Sequence, residues 1–352
     1  MSDMFDKVYS LYKVTQFPKH IECLKAGWTV PPIHLNMDLS SHCSQSCQFC
    51  FRNNLSLGGI DRFKDNDVFI SKDTLSRLIN EIPDVGICGV ELTGFYGEPT
   101  MNPNFDFFAS GLKSAGIQVG LITNGDFLHK IKSYSILSYI RVSISSLNNE
   151  IHKKIRGGKR DINKILESLE KINSERQSGV GPVTGFGFTI DLYNYKEVYD
   201  VCMKACNIGC NNIRLTPVWK NDMSYYSEIV EAVTTQVKKA KKEIGSRMKI
   251  IGPDTYEKVY MGKKNYNRCC YSNLTMNITA DGECYPCCVT RGVKGWSFGN
   301  INEQSLDEIV WGYPRRKLLK NINPNGCPSC IWDAKNEFIE YMVEGGMHAE
   351  FV

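Results

Sequence analysis

Residues 33–39, Ile33-His34-Leu35-Asn36-Met37-Asp38-Leu39, alternate apolar and polar side chains, the period of a half-buried strand. Ahead of it, residues 5–26 have helical spacing and end at Pro31-Pro32, which break the chain. A cysteine-bearing loop, 41–53, follows the strand, and from Ser71 to Ile82 the apolar positions return at helical spacing, with Ser71 as the N-cap. Val85 to Leu92 is an apolar run that reads as a buried strand, and a Gly/Pro loop, 94–104, comes after it. The rhythm then repeats. Helix 103–115 leads to strand Ile117–Thr123, helix 126–133 to strand Tyr139–Ser145, helices 148–155 and 160–174 to strand Gly185–Ile190, and helix 195–208 to strand Asn212–Pro217. Helix 224–243 closes the series, with a solvated face of Lys238, Lys239, Lys241 and Lys242.

Strands alternating with helices of this length build parallel βα units. Six such units between residues 33 and 250 predict a partial (β/α)6 barrel of the α/β class, since a closed eight-stranded barrel takes about 250 residues. In these sheets ligands bind at the carboxyl ends of the strands. After about residue 255 cysteines, glycines and short polar stretches replace the βα rhythm. Asn277-Ile278-Thr279 and Glu283-Cys284-Tyr285 flank Ala280-Asp281-Gly282, a hairpin turn signal, and two short helices near 305–312 and 314–321 precede Cys327-Pro328-Ser329-Cys330. The chain therefore divides into an N-terminal helical extension (1–32), a partial barrel (33–255) and a small cysteine-rich domain with a C-terminal helix (256–352). The last is too small for a large core, and a metal centre can staple it.

Composition narrows the functional classes. With 352 residues, 42% hydrophobic and 23% charged, the chain is a folded protein, and no uncharged stretch reaches the roughly 18 apolar residues of a membrane helix. Nothing at the N-terminus resembles a signal peptide, so a cytoplasmic location is expected. A net charge of +4 from 42 basic and 38 acidic residues is no nucleic-acid footprint. Fifteen cysteines in a reducing compartment point to metal ligation before disulfides.

Two groups of cysteines stand out. The first is Cys43-Ser44-Gln45-Ser46-Cys47-Gln48-Phe49-Cys50, three thiols within eight residues on a loop leaving the first strand. A structural zinc site is closed by four ligands, and His42 is placed to supply a fourth; a four-iron cluster on three thiolates leaves one iron open. Downstream, Gly97-Glu98-Pro99 follows the second strand, Thr123-Asn124-Gly125 ends the third, Ser143 and Ser145 end the fourth, and Ile155-Arg156-Gly157 precedes an amphipathic helix. In this order, at successive strand ends, these segments resemble the radical S-adenosylmethionine (radical SAM) superfamily. The resemblance implies that Cys43, Cys47 and Cys50 hold a 4Fe-4S cluster. It also implies that S-adenosylmethionine is bound by Phe49, Tyr96, Gly97, Glu98, Pro99, Asn124, Ser143, Ser145 and Arg156. Tyr96 stands where the family places the first glycine of its Gly-Gly-Glu-Pro loop.

The second group offers Cys269, then Gly282 and Cys287, then Cys327 and Cys330. Four thiolates suit zinc or a fully ligated iron–sulfur cluster. The stretch from Asn277 to Cys288, with Phe298-Gly299-Asn300-Ile301 and Ser305 to Trp311, resembles the SPASM/Twitch extension of radical SAM enzymes. No cysteine follows Cys330, so the shorter Twitch-like form is expected, with one auxiliary 4Fe-4S cluster on Cys269, Cys287, Cys327 and Cys330. Cys270, Cys284 and Cys288 are left over, either as small buried hydrophobes, as replacement ligands or as hydrogen-atom donors. Cys202, Cys206 and Cys210 form one helix stripe and read as packing.

The resemblance implies an enzyme of oxidoreductase or isomerase type. Its reduced cluster cleaves S-adenosylmethionine to a 5′-deoxyadenosyl radical, which abstracts a substrate hydrogen. The expected partners are a small reductant protein of flavodoxin or ferredoxin type and a peptide or small-molecule substrate to be oxidised, crosslinked or epimerised. Only 42 residues precede Cys43, too few for a winged-helix leader-binding domain, so a peptide would need separate delivery. Two other readings stay open: a nucleoside- or nucleotide-modifying relative, and a non-catalytic metal-binding redox or assembly protein.

Overall fold

The computed structural model describes residues 10–50, 63, 67–176, 181–218, 224–252, 264–327, 330 and 332–345. Seven parallel strands form the body of the sheet: β1 (His34–Met37), β2 (Gly89–Leu92), β3 (Gln118–Thr123), β4 (Tyr139–Ile144), β5 (Val183–Ile190), β6 (Asn212–Pro217) and β7 (Lys249–Ile251). They lie side by side in chain order, each in parallel register with the next. Helices α2 (Lys72–Asp84), α3 (Phe105–Ser114), α4 (Asn149–Arg156), α5 (Ile162–Glu175), α6 (Val198–Asn207) and α7 (Ser224–Ile244) alternate with them, after the N-terminal α1 (Pro18–Lys25). The partial barrel of six βα units is thus present, and β7 lengthens one edge beyond the expectation.

The other edge is built by the cysteine-rich region. Strand β8 (Thr275–Ile278), entered through the short α8 (Tyr271–Leu274), pairs in parallel with β1, His34 against Thr275 through Met37 against Ile278. It then turns at Gly282, φ +89°, into the antiparallel β9 (Cys284–Tyr285), as the Asp281-Gly282 signal predicts. Helices α9 (Leu306–Trp311), α10 (Tyr313–Lys320) and α11 (Asp333–Glu344) complete this region.

Alternation along the strands divides the sheet into two faces. Leu35, Met37, Val90, Leu92, Val119, Leu121, Ile140, Val142, Phe186 and Phe188 are buried under the helices in one large core. The opposite, half-buried face carries His34, Asn36, Glu91, Tyr139, Arg141, Ser143 and Arg214. Tyr139 donates its hydroxyl to Glu91 across the bare backbone of Gly120. A second, smaller core gathers Val14, Ile21, Leu24, Cys270, Leu274, Ile339 and Val343 from the N-terminal segment, α8 and α11.

Three expected elements differ. The helix at 5–26 is a 3-10 turn, Leu11–Gln16, followed by α1, with Pro18 forcing the break; residues 1–9 lie outside the described residues. The helix at 126–133 is replaced by two 3-10 turns, Leu128–Lys130 and Tyr134–Ile136, because Asp106 Oδ1 accepts from the Lys132 and Ser133 amides at 3.0 and 2.8 Å and withdraws them from a helical ladder. The strand at 85–92 starts only at Gly89, since Val85 and Gly86 (φ +87°) cap α2.

Arg315 binds the two ends of the chain together. It is 1% exposed and donates to the carbonyls of Val30 and Val310, both at 3.0 Å, and of Asn273 at 3.1 Å. Burial lowers its pKa to about 10, so it stays charged at neutral pH. Arg315→Met is expected to lower the unfolding free energy by about 3 kcal/mol, read by denaturant titration, because it strands buried carbonyls.

Candidate active site

The Cys43–Cys50 loop leaves β1 and docks onto the C-terminus of α4. The Ser46 and Gln48 amides donate to the carbonyls of Arg156 and Ile155 at 2.9 and 3.0 Å, and the Gln48 side chain donates to Lys154 O at 3.1 Å. These are carbonyls a helix end leaves without internal partners, so the loop and helix complete each other. Gly157, φ +63°, makes the contact close: a β-carbon there would stand 2.1 Å from Ser46 Oγ. Burial, with the nearby Glu98 carboxylate, pushes the Cys43 thiol up to about 12. It is a thiol until a metal displaces the proton.

Glu98 organises the loop after β2. The side chain is 3% exposed, and its Oε1 accepts from the Thr100 amide (3.2 Å), the Thr100 hydroxyl (2.6 Å) and the Thr123 hydroxyl (2.7 Å). Oε2 accepts from the Asn124 amide at 2.8 Å. Burial raises the carboxyl pKa, and these hydrogen bonds pull it back. The Glu98 amide donates to His42 O at 2.8 Å, which brings the loop onto the cysteine loop. Gly97 permits this approach, since a β-carbon there would lie 2.2 Å from Ser40 O and 2.6 Å from His42 O. Asn124 then turns its amide toward Cys43 Sγ, 3.6 Å, and Ser44 Oγ, 3.1 Å. Pro99 opens the 3-10 turn that follows Glu98.

Arg156 comes from α4, buried. Its Nε donates to Ser145 Oγ at 2.9 Å, its Nη1 to Gln45 Oε1 at 3.3 Å, and its guanidinium lies 5.6 Å from the Phe49 ring centre. Ser145 is thereby committed to Arg156, while Ser143 stands half-buried on the open face of β4. Tyr96 is buried and packs edge-on against Phe63 and Phe95. So Phe49, Glu98, Asn124, Ser145 and Arg156 converge on the cysteine loop, Gly97 supports it, and Tyr96 serves an aromatic cluster beside it. Beneath them His152 is buried, Nδ1 accepting from the Ser145 amide at 3.4 Å, and burial with the Arg156 charge lowers its pKa to about 4.

The second group of thiols also assembles. Cys269 lies in the field of Cys327, Cys287 in those of Cys288 and Cys269, and Cys330 in those of Cys288 and Cys287; burial raises the pKa of each. Lys264 donates to Cys327 O at 2.6 Å, the Trp332 amide to Cys330 Sγ at 3.4 Å, and Cys287 Sγ lies 3.5 Å from Thr290 Oγ1. The spare cysteines separate: Cys270 belongs to the smaller core and Cys284 to the larger, whereas Cys288 stays among the ligand candidates. Cys202 and Cys210 are core residues and Cys206 packs against the core. Among the described residues no three His, Cys, Asp or Glu side chains converge on a point that a single metal ion would occupy.

Five residues of the site have no motif of their own. Ser44 and Gln45 both donate to Asp126, at 2.6 and 3.1 Å. Asp38 accepts from Arg291 Nη1 and the Phe95 amide, both at 3.0 Å. Burial raises Asp38 to about 6 even against the Arg291 charge. Only the position of Asp126, next after Thr123-Asn124-Gly125, hinted at its use.

The sheet, the three-thiol loop at its carboxyl edge and the four-thiol region beyond it define a class. Residues 37–205 match the model of the radical SAM superfamily, and residues 269–331 match that of SPASM, an iron–sulfur cluster-binding domain. The chain belongs to the radical SAM superfamily, in its SPASM-bearing branch, whose cofactors are a 4Fe-4S cluster with S-adenosylmethionine and auxiliary iron–sulfur clusters. It is 21% identical over 315 residues to the antilisterial bacteriocin subtilosin biosynthesis protein AlbA of Bacillus subtilis, 86% of this chain and 64% of that one, so it spans less than two thirds of that relative. It is 22% identical over 320 residues to the PqqA peptide cyclase of Rhizobium meliloti, 86% of this chain and 80% of that one. The crystal structure of Streptococcus suis SuiB bound to precursor peptide SuiA superimposes with a TM-score of 0.64 at 17% identity, over 88% of this chain and 71% of that one, which shows a shared fold. No helix among the described residues is long and apolar enough to cross a membrane.

Two outcomes test this geometry. Gly97→Ala, which drives a methyl into the 40–42 backbone, is expected to weaken S-adenosylmethionine binding at least about tenfold in equilibrium dialysis. His152 has a depressed folded pKa, so protonation favours the unfolded chain. Its contribution to stability is complete above pH 6.5 and is lost as pH falls toward about 4, a window that His152→Gln should flatten in melting-temperature profiles.

Proposed function

We propose that this chain is a peptide-modifying radical SAM enzyme that oxidises, crosslinks or epimerises its substrate after hydrogen-atom abstraction. The convergence of Glu98, Asn124 and Arg156 on the Cys43–Cys50 loop carries the reading. The thiols suit the cofactors the family implies. Cys43, Cys47 and Cys50 would hold the first cluster, and Cys269, Cys287, Cys327 and Cys330 a single auxiliary one. A cluster on Cys43, Cys47 and Cys50 would, when reduced, supply the electron for reductive cleavage of S-adenosylmethionine. The chain's own residues bind and orient. In this reading the Gly97-Glu98-Pro99 loop would meet the methionine amino group and Arg156 its carboxylate, Phe49, Asn124 and Ser143 would line the rest of the cofactor site, and Ser145 and Tyr96 would support it through Arg156 and the aromatic cluster.

A peptide substrate is supported by the names of AlbA and the PqqA peptide cyclase and by the SuiA peptide bound to SuiB. It also suits the long polar face of the sheet, which carries Glu91, Arg141 and Arg214. In this reading residues 1–32 form an extension, 33–255 the barrel and 256–352 the auxiliary domain. The protein works in the cytoplasm, with a flavodoxin- or ferredoxin-type reductant.

Anaerobic reconstitution tests it. About eight irons per chain are expected, falling to about four in the variant Cys43→Ala/Cys47→Ala/Cys50→Ala. Under strong reductant the parent should release 5′-deoxyadenosine, Cys43→Ala none, and Cys327→Ala some. Incubation with a randomised peptide library should give products that have lost two hydrogens, or, in deuterated water, products carrying deuterium. Absence of 5′-deoxyadenosine from every preparation would falsify the enzyme reading. Cleavage that no peptide accelerates would point to a small-molecule substrate.

A further inference from the structure

A buried charge pair lies between the two cysteine regions. Asp38 directly follows β1 and stands five residues before Cys43; Arg291 stands four residues after Cys287. Arg291 is 5% exposed and Asp38 0%. Nη1 of Arg291 donates to Asp38 Oδ1 at 3.0 Å, while Nε and Nη2 donate to Asn277 Oδ1 at 3.1 and 2.7 Å. The same Asp38 oxygen accepts from the Phe95 amide at 3.0 Å, and the guanidinium lies 4.9 Å from the Phe95 ring centre. Phe95 packs edge-on against Tyr96, the residue before Gly97. On the other side, Thr290 donates its hydroxyl to Cys287 O at 3.1 Å and fixes the turn from which Arg291 projects.

We propose that Arg291 is a positioning residue that joins the auxiliary cysteine turn to the loop carrying Gly97 and Glu98. The inference rests on the proposed roles of Cys287 and of that loop. A surface ion pair would carry little meaning. This one is sealed, and the planar fork of arginine spends its donors on two strands while its face covers Phe95. Removing one partner leaves the other uncompensated. The burial has a visible cost: Asp38 Oδ2 and Asn277 Nδ2 are both buried with no hydrogen-bond partner. A packing role alone would be met by an apolar side chain at lower cost.

The test uses anaerobically reconstituted full-length protein, with the parent first shown to bind S-adenosylmethionine and to hold two clusters. A parent that does neither overturns the proposed function itself, before any variant is made. Arg291→Gln, compared at equal iron content, is expected to bind S-adenosylmethionine at least tenfold more weakly. Arg291→Lys should recover part of the affinity. If Arg291→Gln does not fold, the double variant Asp38→Asn/Arg291→Gln, which leaves no unpaired buried charge, is read in the same way. A fall in melting temperature with affinity at the parental value, or no recovery in Arg291→Lys, overturns the proposal.

Discussion

The Glu98 carboxylate is the constraint on which the site depends. A buried carboxylate is costly unless donors surround it, and here both oxygens are engaged. Two of those donors come from the end of β3, so the loop after β2 cannot move without breaking bonds to the next strand. Through its own amide Glu98 also holds the backbone at His42. One residue, through side chain and backbone together, thereby links three successive strand ends and presents Asn124 to Cys43.

The second constraint is the edge of the sheet. A parallel sheet left open at β1 would expose unpaired backbone beside the cysteine loop. Strand β8 covers it in register, and Asp38 extends the ladder by donating its amide to Ile278 O at 2.9 Å. Arg315 and Arg291 then cross the same seam with side chains. The cysteine-rich region is thus part of the sheet: Cys269 stands two residues ahead of α8, which leads into β8, and Cys287 two residues after β9.

Much of this was legible in the chain. The alternation in Ile33–Leu39, the repeated strand and helix runs and the Asp281-Gly282 turn specify local structure, because the side-chain period and turn chemistry are properties of a few adjacent residues. The order Cys43–Cys50, Gly97-Glu98-Pro99, Thr123-Asn124-Gly125 was readable for the same reason: each segment lies at the end of its own strand. Where local signals failed, a distant atom had intervened. Helical spacing at 126–133 yields to Asp106, which takes two amides from the segment.

The chain alone specified most of the strands and helices, the class and the two thiol groups. It did not determine which spare cysteine joins which surroundings: Cys270, Cys284 and Cys288 are chemically alike, and only packing sends two into apolar cores and leaves the third beside Cys287 and Cys330. Nor did it mark Asp38, Asp126 or Arg291, since a single acid or base carries no periodicity and gains its meaning from a partner up to 253 positions away. Tertiary structure decided those, because desolvation acts on groups brought together in space and makes the pairing of buried charges obligatory.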